Sequence, residues 1–381
     1  MKNTKPIGLY IHIPFCRQKC LYCDFPSWAE KEGQMQGYVD ALTKEIANRS
    51  REYPDRKVVS VFFGGGTPTT LSIPMLEQLM GAVFANWDIA EDAEITTEAN
   101  PGTLDRKMAE ALKKMRFNRL SMGVQAWQNR LLKSLGRIHT IESFQENFKE
   151  VRDAGFENVN TDLMFALPNQ TMVDWQETVQ NIIALEPEHI SAYSLILEEG
   201  TPFFDRYEKG ELEPATEELD RDMYHWAVDY LAGNGYEQYE ISNFAKKGRQ
   251  SRHNRIYWQA EEYLGMGLGS HSYMAGERFH NIYDLQEYIK ADGDVFLLKE
   301  DIEIITEEDA LAEFMFLGLR LTEGVSFARF RERFGQEMKN IYGSQIEELV
   351  KDGLLEEDEM GIRLTRRGVD ISNYVFERFL F

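Results

Sequence analysis

The stretch YIHIPFCRQKCLYCDF, residues 10–25, decides how the rest of the chain is interpreted, because it holds all three cysteines of a 381-residue sequence. Cys16, Cys20 and Cys23 have the spacing C-x3-C-x2-C and come directly after the apolar run GLYIHI. Three thiolates on one loop can converge on one small inorganic group, and soft sulfur ligands select zinc, copper(I) or iron–sulfur clusters. Polar and basic residues separate the thiols, which disfavours a merely space-filling role. The sequence therefore predicts a metal-binding loop.

The missing fourth cysteine helps to choose between zinc and a cluster. A closed structural zinc site normally has four Cys or His ligands. His12 lies nearby in sequence, but it belongs to the preceding strand pattern, which commits its side chain to one face of the predicted sheet. A cubic cluster held by three cysteines leaves one iron open to another ligand. An iron–sulfur cluster is favoured, and a zinc-stabilised binding module stays open as an alternative.

Composition limits the class of protein. The chain is 43% hydrophobic and 12% aromatic, enough for a sizeable core, and its length predicts more than one domain. The formal net charge of −22 opposes binding to nucleic acid. We find no signal-peptide pattern and no run of eighteen apolar residues, so a cytoplasmic protein is expected. In that compartment, clustered thiols indicate metal or redox chemistry rather than structural disulfides.

Short β-rich runs alternate with helix-patterned segments in the first half of the chain. The predicted strands are residues 8–13, 58–63, 94–99, 119–124, 158–164 and 189–196. The predicted helices are residues 35–50, 73–86, 105–115, 141–154 and 172–184. This alternation predicts an α/β fold with parallel strands joined by right-handed crossovers, as either a doubly wound sheet or a (βα)6 barrel. Glycine-rich and polar groups follow the strands, which favours a site at their carboxyl ends.

We divide the chain into three predicted domains: residues 1–200 as the barrel, 201–300 as an α+β extension, and 301–381 as a C-terminal winged-helix-like domain. The last region is typical of helix, short helix, helix and hairpin. It holds 18 acidic and 10 basic side chains. That balance favours a structural or docking role over DNA binding.

The cysteine string resembles the signature of the radical S-adenosylmethionine superfamily. The resemblance implies a partial (βα)6, TIM-like barrel and a [4Fe-4S] cluster whose open iron is chelated by S-adenosylmethionine. In that superfamily the reduced cluster splits the cofactor to a 5′-deoxyadenosyl radical. Within it, the chain is similar to the oxygen-independent coproporphyrinogen III oxidase and its relatives, through strings that include FFGGGTPT, RLSMGVQ, DLMFALPNQT and YEISNFA.

The same resemblance implies contacts to S-adenosylmethionine. Arg137 pairs with the methionyl carboxylate, a role that suits a guanidinium group. The glycine motif binds the amino group, the ribose faces strand-end polar groups, and two tyrosines pack beside the cofactor. The expected contacts are Tyr10, Tyr22, Gly65, Gly66, Thr67, Glu98, Gln125, Arg137 and Asp162.

Two features separate this chain from the oxidase. The oxidase carries a further cysteine two residues beyond the triad, where this chain has Phe25. CDF is instead similar to the sibling branch of coproporphyrinogen oxidase-like proteins regarded as heme chaperones. HNRIYW, residues 253–258, matches a motif associated with heme in that branch, and His253 offers an imidazole as an axial ligand. His271 is a second candidate.

The resemblance therefore implies a heme chaperone that binds heme and transfers it to acceptor proteins, with catalytic turnover left open. The alternative is a radical S-adenosylmethionine enzyme that acts on a tetrapyrrole. Expected partners are heme and heme-acceptor proteins, among them membrane respiratory proteins, which adds a peripheral membrane location to the cytoplasmic expectation. No nucleic acid is expected. A homodimer stays open, because one sequence does not give an oligomeric state.

Overall fold

The computed structural model describes residues 5–381. Its centre is a set of six parallel strands, all joined by helical crossovers. These strands are β1 (Lys5–Ile13), β2 (Arg56–Gly65), β3 (Asp88–Ala99), β4 (Arg119–Gln125), β5 (Val159–Phe165) and β6 (His189–Ser194). They lie side by side in chain order, whereas a doubly wound sheet reverses its strand order at a switch point. The structure therefore excludes the doubly wound alternative and shows the partial barrel.

Helices cover the outer face of this barrel. They are α1 (Met35–Glu52), α2 (Ile73–Asn86), α3 (Arg106–Lys114), α4 (Asn129–Ser134), α5 (Ile141–Asp153) and α6 (Met172–Ala184), with 3-10 turns at Glu32–Gln34 and Pro68–Thr70. Two of them begin with capping boxes, in which Thr140 and Thr171 accept a hydrogen bond from the third helical residue. Each such cap stabilises its helix by about 1 kcal/mol. The five predicted helices are all present, and the short α4 was not predicted.

The two faces of the barrel strands differ in chemistry. In β1, Ile7, Leu9, Ile11 and Ile13 are buried against the helices. The inner face is polar and internally hydrogen-bonded, for example from the Asn160 amide to the Ser121 hydroxyl at 2.6 Å. Both faces are buried, which explains why the strands read as apolar runs interrupted by single polar residues.

Residues beyond 200 extend the same sheet. The added elements are α7 (Pro202–Glu208), α8 (Glu217–Gly233), β7 (Glu237–Glu240), β8 (Asn243–Ala245), α9 (Arg252–Trp258), β9 (Tyr263–Met266), β10 (His271–Met274), β11 (Glu277–Asn281), α10 (Leu285–Ala291), α11 (Val295–Leu298) and β12 (Lys299–Ile304). The twelve-stranded order is β12-β11-β10-β9-β1-β2-β3-β4-β5-β6-β8-β7. The sheet is mixed, because β8 pairs antiparallel with β6 while β9 pairs parallel with β1. The predicted domain boundaries stay a prediction.

A buried carboxylate ties α1 to the added strands. Glu45 is fully buried and accepts hydrogen bonds from the Asn281 amide at 2.7 Å, the Gly267 N–H at 2.9 Å and the Tyr288 hydroxyl. Arg49 lies one helical turn further on, with Nε 3.5 Å from the same carboxylate. A buried charge is tolerated only when it is paired and hydrogen-bonded, as it is here. Removing Glu45 would leave these donors without an acceptor.

The C-terminal region has its own core. Its elements are α12 (Glu307–Gly318), β13 (Val325–Ser326), α13 (Phe327–Phe334), α14 (Met338–Lys351), β14 (Leu355–Glu357), β15 (Gly361–Leu364), α15 (Arg366–Asp370) and α16 (Ser372–Glu377). The three short strands form an antiparallel sheet separate from the barrel. Helix, short helix, helix and hairpin follow one another in the predicted order. Within residues 5–381, no helix is long and apolar enough to cross a membrane.

Candidate cofactor site at the barrel mouth

The three cysteines lie on a loop that closes on itself directly after β1. We call residues 16–28 the cysteine loop. Its two ends meet, because the Cys16 N–H donates to the Trp28 carbonyl at 3.0 Å and the Trp28 N–H donates to the Pro14 carbonyl at 2.8 Å. All three cysteines are free thiols of intermediate exposure. The loop therefore presents its sulfur atoms from a closed backbone frame.

His12 holds this loop through hydrogen bonds to both of its ring nitrogens. Its Nε2–H donates to the Pro26 carbonyl at 2.9 Å, and its Nδ1 accepts from the Tyr10 hydroxyl at 3.0 Å. Burial lowers the pKa of His12 to about 4, so the ring is neutral at physiological pH. Both ring nitrogens are thus occupied, which disfavours His12 as the fourth ligand of a zinc site.

The number of thiols favours a cluster over a closed zinc site, because the chain has three cysteines and no fourth. Zinc requires ligands at about 2.0–2.3 Å from one point, whereas the cysteines of a [4Fe-4S] cluster bind three different iron atoms. Burial raises the pKa of Cys23 to about 11, and a bound metal would deprotonate such a thiol. The donor set fits an iron–sulfur cluster.

A cavity of about 380 Å³ opens beside the cysteine loop at the carboxyl ends of the strands. This volume lies in the range of small-molecule sites. Eleven of the thirteen predicted site residues line it: Cys16, Cys20, Cys23, Tyr22, Gly65, Gly66, Thr67, Glu98, Gln125, Arg137 and Asp162. The fold thus brings together residues that are up to 146 positions apart in sequence. Their roles toward a cofactor stay predictions.

Arg137 is held facing the cysteine loop. Its guanidinium group donates to the Asn100 side-chain oxygen and to the Gly123 carbonyl, both at 2.6 Å. A third contact reaches Cys20 Sγ at 3.5 Å. Arginine carries its charge throughout the physiological range. The site therefore has a cation beside its thiols that is held in place by hydrogen bonds.

Two carboxyl groups face the same cavity from β3 and β5. Glu98 accepts a hydrogen bond from the Gly65 N–H at 3.1 Å, next to the glycine motif. Burial and the neighbouring Asp162 raise the pKa of Glu98 to about 8. Burial also raises the pKa of Asp162, against the opposing hydrogen bonds from Asn160 and Ser121. The pair is suited to ammonium and hydroxyl groups, which relieve this desolvation by hydrogen bonding.

The raised pKa of Glu98 predicts that cofactor binding depends on pH. Below about pH 8 the carboxyl group is mostly protonated, so binding of an ammonium group must first ionise it. We expect the affinity for S-adenosylmethionine to rise from pH 6 to pH 8, by at most about tenfold for each pH unit. Calorimetric titration of the anaerobic protein measures this slope. Glu98→Gln should bind more weakly without the slope, and an equal slope in both proteins would contradict the assignment.

The glycines of GGGTP are required by neighbours inside the fold. A Cβ on Gly65, whose φ is +105°, would lie 2.3 Å from the His12 ring, and one on Gly66 would lie 2.7 Å from the Phe15 carbonyl. The family resemblance implied that this glycine motif binds the amino group of the cofactor. The structure adds that the His12 ring and the Phe15 carbonyl already occupy the space where side chains at these glycines would lie. Gly65 and Gly66 still present their backbone to the cavity.

Gln125 ends β4 in a strained conformation. Its φ is +68°, which a residue with a side chain rarely adopts, and it is buried at the cavity wall. Such strain costs of the order of 1–3 kcal/mol and persists where surrounding structure enforces it, often at functional sites. The backbone turn directs the amide group toward the end of the sheet, where Asp162 also lies.

Tyr10 and His253 lie outside the cavity lining. His253 is buried, with Nδ1 2.8 Å from the Ser60 hydroxyl and Nε2 2.8 Å from the Tyr257 hydroxyl. Its ring stacks on Phe62 at 5.1 Å, and burial lowers its pKa to about 3. The His253 ring is neutral, as a heme ligand requires, but iron would reach Nε2 only after Tyr257 moves.

Sequence reasoning missed Asn100. Its amide donates to the Thr67 hydroxyl at 2.7 Å, while its oxygen accepts from Arg137. Asn100 therefore links the glycine motif to the cationic group of the site. The string TEANPGT shows a polar residue, Asn100, directly after β3, which could have marked it as a site residue. The sequence analysis selected only Glu98 from this string.

Comparison with known proteins first identifies the superfamily to which the chain belongs. Residues 10–182 match the Radical SAM superfamily, and residues 305–371 match the HemN C-terminal domain. Among solved structures, the coproporphyrinogen III oxidase HemN of Escherichia coli superposes with a TM-score of 0.86 at 23% identity, over 99% of this chain and 90% of that one. At this identity the likeness establishes the fold. Fold and cysteine loop together define a radical S-adenosylmethionine protein, a class that implies a [4Fe-4S] cluster and S-adenosylmethionine.

Curated relatives identify the family within this superfamily. The heme chaperone HemW of Lactococcus lactis is 39% identical over 99% of this chain and 98% of its own length. HemW of Bacillus subtilis is 38% identical, over 97% and 98%. HemW of Escherichia coli is 33% identical over 100% of both chains. The chain belongs to this HemW family of the radical SAM superfamily.

Proposed function

We propose that the chain is a heme chaperone, which binds heme and delivers it to acceptor proteins while it carries a [4Fe-4S] cluster and S-adenosylmethionine at the barrel mouth. The observation that carries the proposal is similarity to proteins named heme chaperone HemW along the whole chain. Phe25 supports it, because the oxidase resemblance requires a cysteine at that position. The side chain of Phe25 is 60% exposed on the rim of the cavity.

The residues at the barrel mouth suit a [4Fe-4S] cluster and S-adenosylmethionine. Cys16, Cys20 and Cys23 would hold the cluster, which supplies an electron when it is bound and reduced. Arg137 would orient the methionyl carboxylate, and Glu98 would hold the amino group once it has ionised. Gln125 and Asp162 would face the ribose hydroxyls. These assignments rest on the cavity lining and on the hydrogen bonds already described.

Heme acceptors and location belong to the same proposal. We infer that the acceptors are apo-proteins of heme, including membrane respiratory proteins, which the chain meets from the cytoplasm. The net charge of −22 gives no electrostatic attraction to an anionic membrane surface, so such encounters depend on the acceptor. Nucleic acid is not a partner in this proposal, for the same electrostatic reason.

A heme titration tests the function. Hemin is added to the full chain with and without a reconstituted cluster, and the loaded protein is then mixed with an apo-cytochrome. We expect a saturable change in the heme absorption band with one heme per chain, followed by appearance of the holo-cytochrome spectrum. Absence of saturable binding in both cluster states would contradict the proposal.

A second arm of that experiment addresses the tetrapyrrole enzyme. The reduced, cluster-loaded chain is incubated with S-adenosylmethionine and coproporphyrinogen III. We expect no decarboxylated product, because Phe25 replaces the cysteine of the oxidase. Accumulation of the decarboxylated porphyrinogen would assign the chain to the oxidase-like alternative.

A further inference from the structure

The seven histidines of the chain, all within residues 5–381, differ in whether they can reach an external iron. Four are buried: His12, His139, His189 and His253. Two others are committed to partners on both ring nitrogens. His225 contacts Asp370 and Arg366, and His280 contacts the Asn281 carbonyl and Asp301.

His271 differs from the other six histidines in both its exposure and its hydrogen bonding. It is exposed, and the only hydrogen bond of its side chain among residues 5–381 joins Nε2 to the Tyr283 hydroxyl at 3.0 Å. Tyr283 is itself 45% exposed, so its hydroxyl can turn to solvent at little cost. Burial, His280 and Arg278 together lower the pKa of His271, which leaves a neutral imidazole at physiological pH. A neutral imidazole is the form that binds heme iron.

His271 lies on the rim of the cysteine loop. A Cβ placed on Gly269 would touch the Tyr283 ring at 2.7 Å and the Pro26 ring at 3.3 Å, so both rings flank this glycine. Pro26 follows the exposed Phe25 directly in the chain. We define the rim patch as Phe25, Pro26, His271 and Tyr283. It is an accessible, largely apolar surface beside the barrel mouth.

The chemistry of the rim patch is complementary to an iron porphyrin. Phe25 and Tyr283 offer exposed aromatic rings for the apolar macrocycle. Lys19 places its ammonium group at the same edge, 3.1 Å from the Phe25 carbonyl, where a propionate could meet it. His280 supports the arrangement, because its ring lies 5.1 Å from the His271 ring and 4.9 Å from the Tyr283 ring.

We propose that heme is held on the rim patch, with His271 as an axial ligand of the iron. This inference rests on the proposed heme-binding function and assigns it a place. Heme held by a ligand on an exposed β-strand can pass to an acceptor without opening the barrel. Heme on the rim patch also lies against the cysteine loop, so cluster and heme occupy neighbouring but separate sites.

The test compares single variants by hemin titration and absorption spectroscopy of the full chain. We expect His271→Ala to weaken heme binding by tenfold or more and to change the heme band. His271→Met should retain binding with a spectrum typical of a thioether ligand, a shift that loss of packing alone would not produce. His225→Ala, at the remote contact between α8 and α15, is the matched control and should behave as wild type. Circular dichroism and iron content verify that each variant is folded and loaded.

The outcomes separate the two proposals. Wild-type affinity and spectrum in both His271 variants would overturn the rim patch as the heme site, while the proposal that the chain binds heme would stand. Loss of heme in a folded His253→Ala variant, with His271→Ala unchanged, would place the iron at His253. If the wild-type chain itself binds no heme, the proposed function fails and the rim patch fails with it.

Discussion

Replacing Cys20 by serine is expected to remove the iron–sulfur cluster, lowering bound iron from about four atoms per chain to near zero. Each cysteine provides one of three protein ligands, and the cavity offers no spare thiol, because the chain has only three cysteines. A serine hydroxyl remains protonated at neutral pH and is a harder ligand than thiolate. Iron and sulfide analysis after anaerobic reconstitution, with the brown absorption band, measures the loss.

The control for this experiment comes from the same loop. Asp24→Asn changes an exposed side chain next to Cys23 without removing sulfur, and we expect full iron content. One zinc and no iron in the reconstituted wild-type protein would favour the zinc-stabilised module instead. A Cys20→Ser protein that still holds four irons would show that another group completes the site.

Replacing Arg137 by leucine is expected to weaken S-adenosylmethionine binding by about 10- to 150-fold, the equivalent of losing a charged hydrogen bond of about 1.5–3 kcal/mol. The guanidinium group is oriented by Asn100 and by the Gly123 carbonyl, so its direction is fixed before a ligand arrives. Arg137→Lys keeps the charge but loses the planar geometry, and we expect an intermediate affinity. Calorimetric titration of the cluster-loaded proteins measures both.

Arg130 offers a matched control for Arg137. It lies on α4, is 53% exposed and pairs with Asp174 away from the cavity lining. Arg130→Leu should bind the cofactor as wild type does. Because Arg137 also contacts Cys20 Sγ, iron content must be measured in parallel. Unchanged affinity in an Arg137→Leu protein with full iron content would contradict the assignment to the carboxylate.

The alternation of parallel strands and helices was predictable from local patterns, whereas the choice of a barrel and the residues of its mouth came from the family resemblance. Apolar runs separated by helix-length segments fix parallel pairing, and parallel strands bring their carboxyl ends to one edge. Glu98 and Gln125 lie at such an end, and Asp162 lies inside β5, and all three line one cavity. The six strands agree with the predicted positions, although several are longer, since polar residues at strand ends carry no periodic signal.

The hydrogen-bond partners of buried side chains were not predictable from the sequence. His12 was set aside as a ligand from its strand position, but nothing in its neighbourhood indicates that it binds Pro26. His253 stands in a motif associated with heme, yet its ring nitrogens meet Ser60 and Tyr257. Hydrogen bonds between residues 193 positions apart depend on tertiary packing, which sequence spacing does not encode. Pairing of β9 with β1 escaped prediction for the same reason.

The pairing of β9 with β1 determines how late in synthesis the fold around the cysteines can be completed. Ribosomes make the cysteines near the start of the chain, but Tyr263, the first residue of β9, follows Cys23 only after about 240 more residues, or about 12–50 s at typical rates of synthesis. Until then one edge of β1 has no neighbour, and Gly269 is not present to pack against Pro26. The cysteine loop therefore gains these packing partners only once synthesis has passed Gly269.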